Sequence, residues 1–238
     1  MSKFKKYERA GAYHWEQANP HWRNPQFNPA LVARYQILLS FLPSSIKYVL
    51  DVGCGDGYLM HLLFAAGALK VYGIDNNWVG VSLAYQQLTR HDRPGDWWVA
   101  LASGDKIPMH DNQFDVVILA DVIEHLTNPE NALIEIARVL KLNGILLLTT
   151  PNKNPQHIWD KCHVREFTPD SLRALLIPHF REVTLHACWP MRWYYRWAKG
   201  GLWQRFIAWL SRTGYNPFCQ LTTHPSLAYG QLLAVCQK

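Results

Sequence analysis

The stretch YVLDVGCGDGYLMHLL, residues 48–63, decides the fold. Tyr48–Val52 is a short apolar run bounded by a turn, the pattern of a strand buried on both faces. Gly53, Gly55 and Gly57 alternate through the segment that follows, where a tight turn needs residues that accept positive φ. From Gly57 to Ala68 apolar residues recur at helical spacing. Strand, glycine turn and helix in that order open a doubly wound α/β domain with a ligand seat on the turn.

The chain on either side keeps this alternation. Downstream, strands are expected at 71–75, 97–103, 114–120, 144–150, 180–187 and 228–237, and helices at 79–90, 129–141 and 168–176. The helix at 129–141 is started by Thr127 or Asn128 and ended by Asn143-Gly144. Short Val/Ile/Leu runs between amphipathic helices imply a parallel sheet covered on both faces. Upstream, NPALVARYQILLSFLPSS (28–45) reads as a helix with Asn28 as N-cap, Pro29 first and Pro43 closing it. Its apolar stripe is Leu31, Tyr35, Leu38 and Leu42, and the aromatic, Pro/Asn-rich Tyr7–Phe27 reads as a wrapped arm. The expected organisation is one domain over 1–238: arm and helix 1–44, cofactor-binding core 45–188, basic aromatic helical insertion or lid 189–226, closing strand 227–238.

Composition excludes several classes. With 49% hydrophobic and 18% charged residues the chain is globular, and no run approaches the roughly 20 apolar residues of a membrane span. The opening MSKFKKYERAG is basic without the apolar core of a secretory signal, so a cytoplasmic location is expected. Cys54, Cys162, Cys188, Cys219 and Cys236 are odd in number and scattered, which fits free thiols better than a disulfide or zinc framework. The net charge of +6 is uneven: the 18 acids and 18 of the bases lie up to Glu182, and only bases follow.

The glycine turn carries Asp51 and Asp56. Two carboxylates repel the pyrophosphate of a dinucleotide and attract a ligand bearing an ammonium and a sulfonium. That favours S-adenosylmethionine over a nicotinamide cofactor. Asp75, closing the second strand, suits the two hydroxyls of a ribose, although it also reads as a turn residue. Asp105, after the third strand, suits an adenine edge and equally reads as a cap.

Together VLDVGCGDGYL, VYGID, SGDKIPMHDNQFDVVILADVIEHL, NPENALIEIARVLKLNGILLLTTPN and HVREFTPDSLRALL resemble the class I S-adenosylmethionine-dependent methyltransferases, of the bacterial small-molecule type with DVIEHL and HVREFT signatures. The resemblance runs from about Tyr48 to Phe180. It implies a doubly wound, mostly parallel seven-stranded α/β sheet with an antiparallel last strand. It also implies that Asp51, Gly53, Gly55, Asp56 and Gly57 hold the methionine moiety, Asp75 the ribose, and Asp105 with Lys106 the adenine. Asn76 and Ala120 join the same cofactor site.

The segment ADVIEHL (120–126) follows the fourth strand and lies at the carboxyl edge of the sheet. Methyl transfer is an in-line displacement for which an enzyme aligns the acceptor and, for a hydroxyl, removes its proton. His125 reads as the general base, Glu124 as its partner, and His163 with Arg165 as acceptor-facing residues; all also read as turn and ion-pair residues. Asp121, Glu124, His125 and His163 further offer two carboxylates and two imidazoles to a divalent metal. That set is similar to the Glu-x-x-Glu-His plus distant His of the small-RNA 2'-O-methyltransferases, with Asp121 in place of the first Glu. The leading expectation is methylation of a small or lipid-like acceptor at oxygen. The alternative is metal-dependent RNA ribose 2'-O-methylation, and a non-catalytic cofactor scaffold is a third.

Residues 189–215, WPMRWYYRWAKGGLWQRFIAWLSRTGY, hold five of the eleven tryptophans. Arg192, Arg196 and Lys199 share one helical face and Trp193, Tyr194 and Trp197 another; Leu202, Phe206, Ile207 and Leu210 form a second apolar stripe flanked by Arg205 and Arg212. This composition suits a substrate lid, peripheral contact with the inner membrane surface, or, with less support, nucleic acid.

Overall fold

The computed structural model describes residues 6–91, 97–155 and 160–238; the first five residues, part of the basic opening, lie outside them. Lys6–Ala10 (α1) and Tyr13–Ala18 (α2) are short helices of the arm, and Pro29–Ser40 (α3) is the first long one. Asn28 caps α3 as its sequence requires, its side-chain oxygen accepting from the N–H groups of Ala30 and Leu31. The glycine-turn unit is Tyr48–Val52 (β1) and Tyr58–Ala65 (α4). Lys70–Asp75 (β2), Trp78–His91 (α5), Trp97–Leu101 (β3), Phe114–Ala120 (β4) and Pro129–Val139 (α6) follow. Then come Leu140–Pro151 (β5), Pro169–Leu176 (α7), Glu182–Pro190 (β6), Met191–Ala198 (α8), Gly201–Arg212 (α9) and Tyr229–Gln237 (β7).

The strands form one sheet in the order β3-β2-β1-β4-β5-β7-β6. All registered pairs are parallel except those of β7, which runs antiparallel to both β5 and β6. Period-2 alternation assigns side chains to the two faces. Val49, Val116, Ile118 and Leu147 join the core beneath α3 and α4, whereas Leu50, Val52, Val117, Leu119, Leu146 and Leu148 join the core beneath α6 and α7. Strands buried on both faces need no polar alternation, which is why their sequences read as plain apolar runs. Between β1 and β4 the strand order reverses, and the crevice outside their carboxyl ends is where such sheets bind ligands.

The boundary between α6 and β5 differs from expectation. α6 stops at Val139, and Leu140 already pairs with Phe114 as part of β5. The register then shifts, so Lys141–Gly144 bulges out before Ile145 pairs with Val116; Asn143, at φ 65°, turns the chain inside the strand rather than ending the helix. Tertiary anchors impose this: Lys141 Nζ lies 2.6 Å from Asp115 Oδ1, and the Gln113 N–H donates to the Val139 carbonyl at 2.8 Å.

Candidate active site

The glycine turn is pinned from both sides. The N–H groups of Gly53 and Cys54 donate to the Ile74 carbonyl at 2.7 and 3.0 Å, tying the turn to the end of β2. Gly53 (φ 82°) and Gly55 (φ 53°) occupy left-handed backbone, and a Cβ on them would collide with Val122 and with the Tyr7 hydroxyl respectively. These two glycines therefore admit close neighbours as well as a turn. The Gly55 N–H donates to Asp75 Oδ2 at 2.9 Å and the Asn77 N–H to Asp75 Oδ1 at 2.8 Å, which fixes that carboxylate at the mouth of the turn. Asn77, next to the expected Asn76, caps the start of α5 through Val79 and Gly80.

Three carboxylates converge here. Asp51 is 2% exposed, and its Oδ2 has no hydrogen-bond partner among the described residues. Burial, followed by the charges of Asp75 and Asp56, pushes its carboxyl up to about 8. Asp75 is raised by burial, against the backbone N–H groups that favour its charged form. Asp56 is fully buried and held by the arm: its carboxylate accepts from the His14 N–H and faces His14 Nδ1, both at 2.9 Å. Its carbonyl accepts from Trp15 Nε1 at 2.9 Å.

The chain after β4 makes the second wall. Asp121 adopts φ 53° and is consumed by protein contacts: Arg34 Nη2 at 2.5 Å, Thr149 Oγ1 at 2.7 Å and Gln231 Nε2 at 2.5 Å. Glu124, 1% exposed, accepts from Thr150 Oγ1 at 3.0 Å through Oε2, and among the described residues its Oε1 has no partner. Burial and then the charge of Asp121 hold its carboxyl well above the usual range. His125 Nδ1 lies 3.3 Å from the Cys162 carbonyl, and burial pushes the imidazole below its ordinary value. The His163 ring meets the His125 ring edge-on at 4.9 Å.

The four residues that the alternative reading offers to a metal come together only in part. Ligand atoms of Glu124, His125 and His163 lie within 4.8 Å of one another, but Asp121 is not among them, because Arg34, Thr149 and Gln231 take its oxygens. Arg165 donates to the Thr127 carbonyl at 2.9 Å, and His163 Nδ1 lies 3.7 Å from Glu166 Oε1.

Both walls enclose a cleft of about 950 Å³. Asp51, Gly53, Asp56, Asp75, Asn76, Ala120, Glu124, His125 and His163 line it. Asp105 and Lys106 do not: their side chains are exposed to solvent, and Ala102 and Gly104 take that part of the wall. Of the basic segment only Trp189, its first residue, lines the cleft among the described residues. Among the described residues its wall passes from Trp189 straight to Gln231, and the covering element is the arm, through Lys6, Tyr7, Tyr13 and His14.

Arg34, Trp189 and Gln231 escaped the sequence reading. Two of them carried a signal. Arg34 falls between Leu31 and Leu38 on the buried stripe of α3, and Gln231 is a fully buried amide inside the apolar strand β7. A polar side chain at a core position is a candidate for a site. Trp189, at φ 61°, gave none.

Residues 50–148 match the model of a family described as a methyltransferase domain. A probable S-adenosylmethionine-dependent methyltransferase of Mycobacterium tuberculosis is 33% identical over 157 residues, 60% of this chain and 53% of that protein. The ubiquinone biosynthesis O-methyltransferase of Thiobacillus denitrificans is 33% identical over 112 residues, 47% of each chain. The chain thus spans about half the length of these curated relatives. A crystal structure of an S-adenosylmethionine-dependent methyltransferase from Thermotoga maritima superposes with a TM-score of 0.64 at 17% identity, covering 98% of this chain and 95% of that one; at such identity the likeness speaks for the fold.

Proposed function

Because residues 50–148 match a methyltransferase-domain family and named S-adenosylmethionine-dependent methyltransferases are similar to this chain, we propose that it is a class I methyltransferase that transfers a methyl group from that donor to a small or lipid-like acceptor, at oxygen. The observation that carries the reading is the buried Asp51 carboxyl group, one of whose oxygens lacks a partner among the described residues, beside Asp75 and Asp56 in the wall of the cleft. The wall from Asp51 to Val79 lends the cleft no Lys or Arg, and such an acidic wall is matched by a cationic ligand. Asp51, Asp56 and the Gly53–Gly57 backbone would hold the amino-acid end, and Asp75 with Asn76 the ribose. Ala102 and Gly104 would stand at the base, with Ala120 beneath the sulfur. Bound there, the donor supplies a methyl group on a positively charged sulfur, which departs as a neutral thioether.

On the acceptor wall His125 removes the hydroxyl proton. Its depressed basicity keeps it neutral at physiological pH, and donation of Nδ1–H to the Cys162 carbonyl leaves Nε2 as the basic nitrogen. Glu124, aided by Thr150, holds the turn that carries His125, and His163 supports the ring from its edge. The preference for oxygen rests on this neutral base, and the relative named for ubiquinone biosynthesis supports it.

A second reading, metal-assisted methylation of an RNA ribose, has the Glu124, His125 and His163 cluster in its favour. One assay separates the two. The protein is incubated with labelled S-adenosylmethionine and either hydroxylated aromatic lipids or short RNA, with and without manganese. Label in the lipid fraction without added metal is expected; label in RNA only with manganese establishes the second reading, and no donor binding by calorimetry rejects both.

A further inference from the structure

Away from the cleft, α9 turns large apolar side chains outward. Ile207 and Ala208 point into the core, whereas Leu202 is 83% exposed and Trp203, Phe206 and Trp209 are 43–48% exposed. The stripe expected from sequence therefore splits: Ile207 leaves it and Trp203 and Trp209 join it. Leu202, Phe206 and Trp209 follow one another at i, i+4 and i+7, so they share a face. The rings form a continuous row, Trp203 to Phe206 at 6.2 Å and Phe206 to Trp209 at 6.0 Å.

A second segment extends this surface. Arg212, at the end of α9, donates to the Pro20 and Asn24 carbonyls at 3.1 and 2.9 Å. Its guanidinium also lies 5.6 Å from the ring of Trp22, which is 61% exposed. The arm thus sets another outward tryptophan beside the helix. Cations border both flanks: Arg205 and Arg212 on one side, and on the other Arg196, lying between the rings of Trp193 and Trp203 at 5.4 and 5.2 Å. From Val183 to Lys238 the sequence holds six basic residues and no acid.

We propose that this surface seats the protein on an anionic lipid bilayer, with α9 lying in the plane of the headgroup layer. An apolar stripe with tryptophans at its border and cations on both flanks matches the polarity gradient of that layer. The helix lies on the bilayer and does not cross it: no helix among the described residues is long and apolar enough to span a membrane. A single-stranded nucleic acid fits less well, because stacking platforms line grooves, and the most exposed member here is Leu202, which has no ring. A second copy fits poorly too, since a two-fold contact would press one acid-free cationic face against another. The proposal does not depend on which acceptor is methylated.

Full-length protein is sedimented with vesicles of phosphatidylcholine alone and with vesicles containing about 30% phosphatidylglycerol. Binding is expected to be at least about tenfold stronger on the anionic vesicles, with a blue shift of tryptophan emission, and to weaken in roughly 0.5 M salt. The triple variant Trp203→Ser/Phe206→Ser/Trp209→Ser should lose about tenfold or more of that binding, and Arg205→Gln about fivefold. Both should keep the thermal midpoint and the donor affinity of the parent, so failure here is distinguishable from failure of the methyltransferase reading. Trp209→Phe, keeping a ring, should keep most of the binding. Equal binding to neutral vesicles, full binding by the triple variant, displacement from vesicles by oligouridylate, or a dimer that the triple variant dissociates would each overturn the proposal.

Discussion

On the β1–β2 side of the cleft the polar groups come from one short stretch, Asp51 to Asn77, and their charges are left uncompensated by any Lys or Arg of that stretch other than Lys70 on β2. On the β4–β5 side they come from Arg34, Asp121, Glu124, His125, His163 and Gln231, drawn from across the chain, and the exposed charge is cancelled: Arg34 meets Asp121, and burial keeps Glu124 and His125 toward their neutral forms. In the proposed reading the first wall receives positive charge. The other is built to be nearly neutral until something is placed against it. A cationic donor and a neutral acceptor need that asymmetry, because the transfer moves positive charge off the donor and across the cleft.

The largest expected effect tests the compensation. Arg34→Met leaves the largely buried Asp121 side chain near Glu124 without its cation, and stability should fall by about 3–5 kcal/mol in chemical denaturation. Arg34→Met/Asp121→Leu should recover most of that loss; if it does not, the pair is not what Arg34 is for. Next, His125→Ala should lower kcat by about a hundredfold while donor affinity by calorimetry moves less than twofold. Equal losses in both would erase the distinction between the walls. On the donor wall, Asp75→Ala should weaken donor binding by about tenfold or more, the loss of charge-assisted hydrogen bonds.

The pH dependence of the donor wall is a finer test. The Asp51 carboxyl holds its proton up to about pH 8 in the folded chain. In the unfolded chain it lets go near pH 4, roughly the ordinary value for Asp. Between these limits the folded state binds the extra proton, so without donor stability declines as pH rises from about 4 to about 8 and levels off above. Denaturation midpoints across that window should show the slope, and Asp51→Asn should flatten it. A bound cation favours the charged carboxylate, so donor affinity should rise with pH over the same range. The smallest effect belongs to Asp105→Ala, under about twofold in donor affinity, since its side chain stands outside the cleft.

The same contrast governs what could be read from the residues alone. The donor wall is local: a glycine turn, its carboxylates and the acid closing the next strand are set by neighbours in sequence, and their placement follows from the strand–turn–helix they sit on. The acceptor wall is assembled by packing. That Arg34 reaches Asp121 depends on α3 lying against the carboxyl edge of β4, and nothing near either residue in sequence encodes it. The arm was recognisable as a wrapped segment, but not that His14 and Tyr7 close over the turn. The basic segment was recognisable as amphipathic, yet its faces could not be assigned until α9 was docked on the core.

By itself the sequence determined the alternation of seven strands with their helices, the glycine turn after the first strand and the acids placed on it, because hydrophobic period and turn chemistry act over a few residues. Only the tertiary structure decided which charges are cancelled, which carboxylate keeps an oxygen without a partner, and which aromatic rings face outward. Those outcomes depend on burial and on contacts between residues far apart in the chain, and neither exists until the layers have packed.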